Sequence, residues 1–450
     1  MKSPDLNHAL EVLWHVTVLS NFARGFDKYS RIYSKAEIPE STFPNQFYLL
    51  REHELASGIA KARGLLQRLA LPGNRLLALR ARVHENDLHA NTRTGIGRFV
   101  ERSGVRLEGV AWVIEDISGH QLEPAVIEEA IALSHQLLCP ALKGYDALQP
   151  RTFSVLPIAR GCQASCPFCF SEASASAEQE QAKLDLPPIR QLANAARERG
   201  ADRFVITGGG EPGLVRHEKL CDLIQVGSES LGKVVLITNG HHLAKLQDAE
   251  RSQVLSNYHQ SGLRVLAISR HHHDDETSSR LMSLPTDVSA IVHSWQMGRT
   301  SWPELRLRFT CVLQRGGVDS QEALEAYVGW AASLGVSELC FKELYVSTSA
   351  ESVYHRHAAN EWSLANQVPL ELVLDFASRH KFVEIARLPW GAPVFHGSWR
   401  GHPMQIAAYT EPSLFWERSN GIARSWNLMA DGRCLVSLED RDSQIELPVP

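Results

Sequence analysis

What this chain lacks narrows its class before any motif is considered. No apolar run approaches the ~20 residues that span a bilayer. The stretch 9–19 is broken by Glu11 and His15, unlike the apolar core of a secretory leader, so the expected address is the cytoplasm. No long block of one charge occurs: 46 Lys and Arg are mixed with 51 Asp and Glu, for a formal net charge of −5. That balance argues against a broad electrostatic footprint for nucleic acid. Internal repeats and low-complexity segments are missing too. Cysteine is scarce, eight in 450 residues, which is too few for the disulfide framework of a secreted scaffold. Cys162, Cys166 and Cys169 are nevertheless bunched together, as metal ligands are.

What is present reads as a multidomain α/β protein. A chain of 450 residues that is 44% hydrophobic can bury more than one core. Residues 1–150 show helical patterns at 8–22, 55–69 and 124–138 and candidate strands at 76–83 and 110–115, which suggests a mixed α/β domain with no chemical motif. From 153 the texture changes to short apolar runs at 153–158, 203–207, 234–238, 264–269, 305–313 and 338–346. Helical patterns at 188–199, 214–231, 243–261, 287–297 and 320–334 separate them. Strands alternating with helices of this length indicate parallel βαβ units, so the expected fold over 151–350 is a partial (β/α)6 TIM-like barrel. A last helix at 370–380 precedes a small β-rich extension in 351–450, with a hairpin expected at 427–438 around Ala430-Asp431-Gly432. Trp390, Trp399, Trp416 and Trp426 in this tail suit either a cover for the barrel mouth or the core of a small β domain.

In such sheets chemistry collects at the carboxyl ends of the strands, and each polar motif falls there. After the first strand comes Gly161-Cys162-Gln163-Ala164-Ser165-Cys166-Pro167-Phe168-Cys169, a C-x3-C-x2-C loop. A cubane cluster takes four thiolates, so three on one loop leave one iron open to a small chelating molecule. The competing reading is zinc, which would need a fourth ligand that no second C-x-x-C supplies. The second strand ends in Gly208-Gly209-Gly210-Glu211, glycines that allow close backbone approach followed by a carboxylate able to accept from an ammonium group. The third ends in Thr238-Asn239-Gly240 and the fourth in Ser269-Arg270.

The cysteine loop with its aromatic Phe168, followed by Gly-Gly-Glu, resembles the signature of the radical S-adenosylmethionine (SAM) superfamily, and the likeness extends in order over about 150–350. The resemblance implies an enzyme with one [4Fe-4S] cluster on Cys162, Cys166 and Cys169, and with SAM contacted by Gly208, Gly209, Gly210, Glu211, Thr238, Asn239, Ser269 (ribose) and Arg270 (carboxylate). It implies reductive cleavage of SAM to a 5'-deoxyadenosyl radical that abstracts hydrogen from substrate, with the electron coming from an external donor such as flavodoxin or ferredoxin. After Cys340 only Cys434 remains, so the C-terminal region looks like a truncated form of the cysteine-rich SPASM extension, unable to hold an auxiliary cluster.

The expected substrate is a small metabolite or a short peptide in a biosynthetic pathway. The alternatives are RNA modification and activation of a partner enzyme. Candidate catalytic groups are Cys340, Tyr345 and His271, the last opening a His271-His272-His273-Asp274-Asp275 run that also suits a solvated loop. Cys311 in the fifth strand is a second candidate thiol, although free cysteine commonly packs as a small hydrophobe. Lys342 and Glu343 alternate faces on the sixth strand, so one of them should point inward.

Overall fold

The computed structural model describes residues 80–82, 105–108, 111–114, 143–173, 185–347, 352–354, 356–412, 417–418 and 420–445. The chain divides into two compact units, 1–142 and 143–450. In the first, β1 (Arg80–Arg82), β2 (Val105–Glu108) and β3 (Ala111–Ile114) pair antiparallel in the order β1-β3-β2. β1 and β3 lie inside the two stretches expected to be strands. The helices expected at 8–22, 55–69 and 124–138 lie outside the described residues.

The second unit begins with β4 (Gln149–Pro150) and β5 (Phe153–Val155). Helices and strands then alternate: α1 (Leu186–Glu198), β6 (Phe204–Ile206), α2 (His217–Leu231), β7 (Val234–Thr238), α3 (His241–Ala244), α4 (Asp248–Gln260) and β8 (Leu263–Ser269). α5 (Asp275–Met282), α6 (Val288–Gly298), β9 (Arg306–Leu313), α7 (Gln321–Ser333) and β10 (Glu338–Glu343) continue the pattern. The alternation arises from local sequence. Short runs such as Val-Val-Leu-Ile-Thr in β7 favour strand, while α1 buries Ile189, Leu192, Ala193 and Ala196, one helical stripe. Each large aliphatic side chain so buried contributes roughly 1.5–3 kcal/mol.

The tail does more than extend the fold. After α8 (Ala358–Asn366) and α9 (Glu371–Arg379) come β11 (Val383–Arg387), β12 (Pro393–Trp399), β13 (His402–Tyr409), β14 (Ile422–Ala423), β15 (Trp426–Leu428) and β16 (Cys434–Leu435). β13 pairs parallel to β10, and β15 parallel to β5. The six expected strands are thereby flanked to give eight consecutive parallel strands, β13-β10-β9-β8-β7-β6-β5-β15. β13 and β15 end this run, yet Glu411, just past β13, pairs with Arg424, just before β15. Among the described residues β13 and β15 are not hydrogen-bonded to each other, so the sheet is open, and this ion pair links the segments at the two ends of the parallel run.

Burial and packing identify the two faces of the sheet. Phe204 packs on Gly227 of α2, Ile268 reaches Gly240 beside Ile291 of α6, Phe309 stacks on Trp330 of α7 and Phe341 meets Tyr327 of α7. Those residues face the helices. The alternate set, Val205, Val235, Ile237, Val265 and Ala267, packs together on the opposite, concave face. The Asp-Gly hairpin forms between β15 and β16, with Leu428 opposite Cys434. Trp390, Trp399 and Trp426 are buried core residues rather than a cover for the mouth. Trp399 packs on Phe376 and His380, and Arg199 lies over Trp426. Trp416 lies outside the described residues.

Candidate active site

The cysteine loop is joined directly to the glycine segment by backbone hydrogen bonds. Gly210 N donates to Ile158 O and Glu211 N to Gly161 O, both at 2.9 Å. Only glycine permits this approach: a Cβ on Gly210 would lie 2.2 Å from the Gly161 carbonyl oxygen, and one on Gly208 would lie 1.6 Å from Gly210 O. Glu211, 4% exposed, spends its carboxylate on neighbours. Oε1 accepts from Gly213 N at 2.7 Å and from Thr238 Oγ1, and Oε2 accepts from Asn239 N at 2.8 Å. Burial pushes its pKa up, and the three hydrogen bonds oppose that shift. Three of its ~four lone-pair sites are thus occupied.

Asn239 completes the junction. Its Nδ2 reaches Cys162 Sγ at 3.6 Å and Gln163 Oε1 at 3.3 Å, while its Oδ1 accepts from His241 N at 2.9 Å. Cysteine loop, Gly-Gly-Glu segment and Thr-Asn-Gly strand end, spread over some eighty residues of sequence, therefore form one hydrogen-bonded unit at one end of the sheet.

Burial and the neighbouring Cys169 and Cys162 push Cys166 up to about 12, and burial also pushes Cys162 up. Ala164 N donates to Cys162 Sγ at 3.4 Å, and Cys169 Sγ lies 3.0 Å from Ser171 Oγ. Cys162 and Cys166, which so disfavour ionisation, need a cationic centre to become thiolates. Among the described residues no three His, Cys, Asp or Glu side chains converge closely enough to share one ion. A mononuclear zinc site needs that convergence, whereas a cubane takes one thiolate per iron, spread around the cluster. The donor set fits the cubane.

Phe168 and Phe170 anchor the loop on the far side. Phe168 meets His271 edge-on at 5.2 Å and lies 6.0 Å from Trp362. Phe170 stacks on Tyr354 at 4.4 Å and lies 6.1 Å from Tyr345. His271 is buried, and its Nδ1 accepts from Val312 N at 3.1 Å. Burial, with the Arg270 charge adding to it, pushes its pKa down to about 3. The ring is therefore neutral with its proton on Nε2. Tyr345 donates its hydroxyl to Glu439.

The other candidates separate by face. Ser269 shares the concave face with Ala267, whereas Arg270 follows the helix-facing set. The Arg270 guanidinium lies 5.2 Å from the Trp330 ring, with Nη2 on Asp275 and on His273 O at 2.9 Å. It is engaged with α5 and α7 rather than with the cysteine loop. Asp274 caps α5, accepting from Thr277 N at 2.7 Å, and His272 and His273 lie against each other at 4.3 Å. Of the histidine run, only His271 reaches the cysteine loop. Cys311, fully buried, faces the helices beside Tyr327, while Cys340, half-buried, shares the concave face with Lys342. Lys342 is the inward member of its pair; Glu343 is buried and accepts from Thr410 Oγ1 at 3.1 Å.

A cavity of about 450 Å³ opens next to this unit, lined by His241, Lys245, Asp275, Ser279, Thr286 and Asp287 among others, a volume within the usual range for small-molecule sites. A smaller hollow of about 110 Å³, lined by Trp295, Trp302 and Leu305 among others, lies at the opposite end of the strands.

Residues 156–308 match the family model of the Radical SAM superfamily. The chain carries a radical SAM domain. Radical SAM enzymes use a [4Fe-4S] cluster and SAM. No curated protein matches the chain's sequence. Among solved structures, a radical SAM methyltransferase from Sphaerobacter thermophilus is 18% identical over 51% of this chain and 62% of its own, with a TM-score of 0.35. Coproporphyrinogen III oxidase from Escherichia coli, a radical SAM enzyme, is 12% identical over 52% and 54%, at 0.33. TYW1 with a lysine-pyruvate adduct is 13% identical over 71% and 98%, at 0.34. The chain thus spans less than two thirds of the length of the first two. Among the described residues no helix is long and apolar enough to cross a membrane.

Tyr354, His357 and Trp362 around the cysteine loop escaped the sequence reading. Tyr354 precedes α8, His357 caps it and Trp362 lies within it. The buried positions of α8 are Ala359, Asn360 and Ser363, which leave almost no apolar stripe for periodicity to detect.

Proposed function

We propose that this radical SAM enzyme acts on a small metabolite or a short peptide, with Cys162, Cys166 and Cys169 holding its single [4Fe-4S] cluster and the fourth iron left to SAM. When bound, cluster and SAM supply a 5'-deoxyadenosyl radical that takes a hydrogen atom from a substrate carbon. The chain's own residues bind, orient and shield. The open lone pair of Glu211 and the Gly208–Gly210 backbone receive the amino group of SAM, Thr238 and Asn239 hold that carboxylate and Cys162 in register, and Ser269 faces the ribose. Arg270 braces the β8 end from behind, so its part is positioning rather than direct contact. His271 offers a neutral Nε2–H to an oxygen of substrate or SAM. Cys340 and Tyr345 are the candidates to return a hydrogen atom to product. The electron arrives from an external flavodoxin- or ferredoxin-type donor.

One observation carries this reading more than any other: Asn239, held by Glu211, touches Cys162, so three motifs distant in sequence form one site. Anaerobic reconstitution with iron and sulfide, dithionite reduction and mass-spectrometric detection of 5'-deoxyadenosine from SAM provide the test, run beside a Cys162→Ala, Cys166→Ala, Cys169→Ala variant. About four irons per chain and 5'-deoxyadenosine from the unmutated protein alone are expected. A cluster that survives loss of all three cysteines overturns the assignment.

A further inference from the structure

Between the segments at the two ends of the parallel run, two cations share one carboxylate. Lys342 Nζ pairs with Glu411 Oε1, and Arg424 Nη1 with Glu411 Oε2. The carboxylate is used at both oxygens while the cations keep donors in reserve: among the described residues no acceptor meets Arg424 Nε or Nη2, or the remaining hydrogens of Lys342. Both side chains stay open to solvent, Lys342 at 33% and Arg424 at 28%, and Lys342 Nζ lies 5.4 Å from the Tyr409 ring.

Among the described residues no other carboxylate forms an ion pair with either cation. Glu417 accepts from Arg424 N, and burial pushes its pKa up to about 8. Arg424 and Lys342 hold Glu411 at about 2. Glu439 is occupied by the hydroxyls of Tyr345, Ser347 and Ser352. Phe170 of the cysteine loop stacks on Tyr354 and lies 6.1 Å from Tyr345, whose hydroxyl donates to Glu439.

A structural link between those segments requires only the Arg424–Glu411 pair. Lys342, on β10, adds nothing to that link, and a second cation on the same carboxylate leaves one positive charge of the trio unmatched on side chains that are partly exposed. We propose that Lys342 and Arg424 form an anion subsite that takes a carboxylate or phosphate group of the substrate, the free Nε and Nη2 of Arg424 engaging two of its oxygens side by side. Its use in catalysis rests on the radical SAM reading; the binding itself does not.

The experiment is isothermal titration of the full-length reconstituted chain with two probes, succinate and inorganic phosphate, together with iron analysis of each preparation. Binding of at least one probe is expected, weakened about tenfold or more in Lys342→Gln and in Arg424→Gln, the factor one charge-assisted hydrogen bond carries. Glu411→Gln, which releases both cations, should bind more tightly. A preference for succinate assigns a carboxylate, and a preference for phosphate assigns a phosphate. Absence of binding to both probes, binding unchanged in the Lys342 and Arg424 variants, or weaker binding in Glu411→Gln each overturns the proposal. Missing iron with intact anion binding defeats the radical reading alone; full iron with no anion binding defeats this one alone.

Discussion

Strands β5 to β8 and strands β9, β10 and β13 belong to one sheet but carry their polar groups differently. On the first set the concave face is Val205, Val235, Ile237, Val265 and Ala267, apolar but for Ser154 of β5 beside Val205, and the candidate site residues Cys162, Gly208, Asn239 and Ser269 come only where the strands end. On the second set the concave face is mostly polar: Arg306, Arg308 and Thr310 on β9, Glu338, Cys340 and Lys342 on β10, Gln405 and Tyr409 on β13, with Val312 and Ala407 between them. The contrast is what separate tasks require. A radical source demands one fixed geometry at the strand ends and no reactive groups beneath it, whereas recognition of a particular substrate calls for groups spread over a surface.

The largest effect that divides the two halves comes from their cysteines. Cys166→Ala should drop 5'-deoxyadenosine formation to background, because a cluster ligand, the role proposed for Cys166, has no substitute. Cys340→Ala should leave iron content and 5'-deoxyadenosine within about twofold of wild type, as expected where substitution of a half-exposed side chain costs little, while changing the product mixture once a substrate is supplied. If Cys340→Ala also abolishes 5'-deoxyadenosine, the two halves are not functionally separate and the comparison fails.

A smaller effect sharpens the boundary at β8. Arg270→Gln removes a cation from the Trp330 face and from Asp275, which should cost about 1–2 kcal/mol of stability, read as a lower midpoint in chemical denaturation. SAM affinity, followed by equilibrium dialysis of the reconstituted protein, should shift more in Ser269→Ala than in Arg270→Gln. The reverse order would place Arg270 against SAM itself and undo the division of faces at that strand end.

How far these features could be read from sequence follows the same division. Six strands and the helices between them were legible because each is a local pattern, and the motifs at their ends needed only position. The helix expected at 243–261 divides into α3 and α4, with Asp248 and Glu250 supplying the acidic first turn of α4. Strands β13 and β15 were not legible as strands of this sheet, since which neighbour a strand joins is a long-range matter that its own residues do not encode. The face of Arg270 was equally hidden, because adjacent residues at a strand end differ by half a turn and nothing in Ser269-Arg270 says which points inward. The Lys342–Glu411–Arg424 cluster joins positions from three segments that have no shared motif.

The smallest predicted effect tests whether the wall between the halves is as dry as its packing implies. His271 ends the β8 side and bonds Val312 on β9; its pKa is pushed down to about 3 by burial, against an ordinary value of 6.5. The unfolded chain therefore binds a proton that the folded chain refuses. Stability is fully present above the unfolded value and is lost as pH falls from ~6.5 toward 3. Between pH 7 and pH 6 this one group should cost about 0.7 kcal/mol, and His242, pushed down to about 4 by burial, should add a similar amount. His271→Gln keeps an acceptor for Val312 N but cannot titrate, so denaturation measured at the two pH values should show a shallower loss by about that 0.7 kcal/mol. An unchanged slope would mean that His271 already takes up its proton in the folded protein, and that water reaches the junction between the apolar and polar strands.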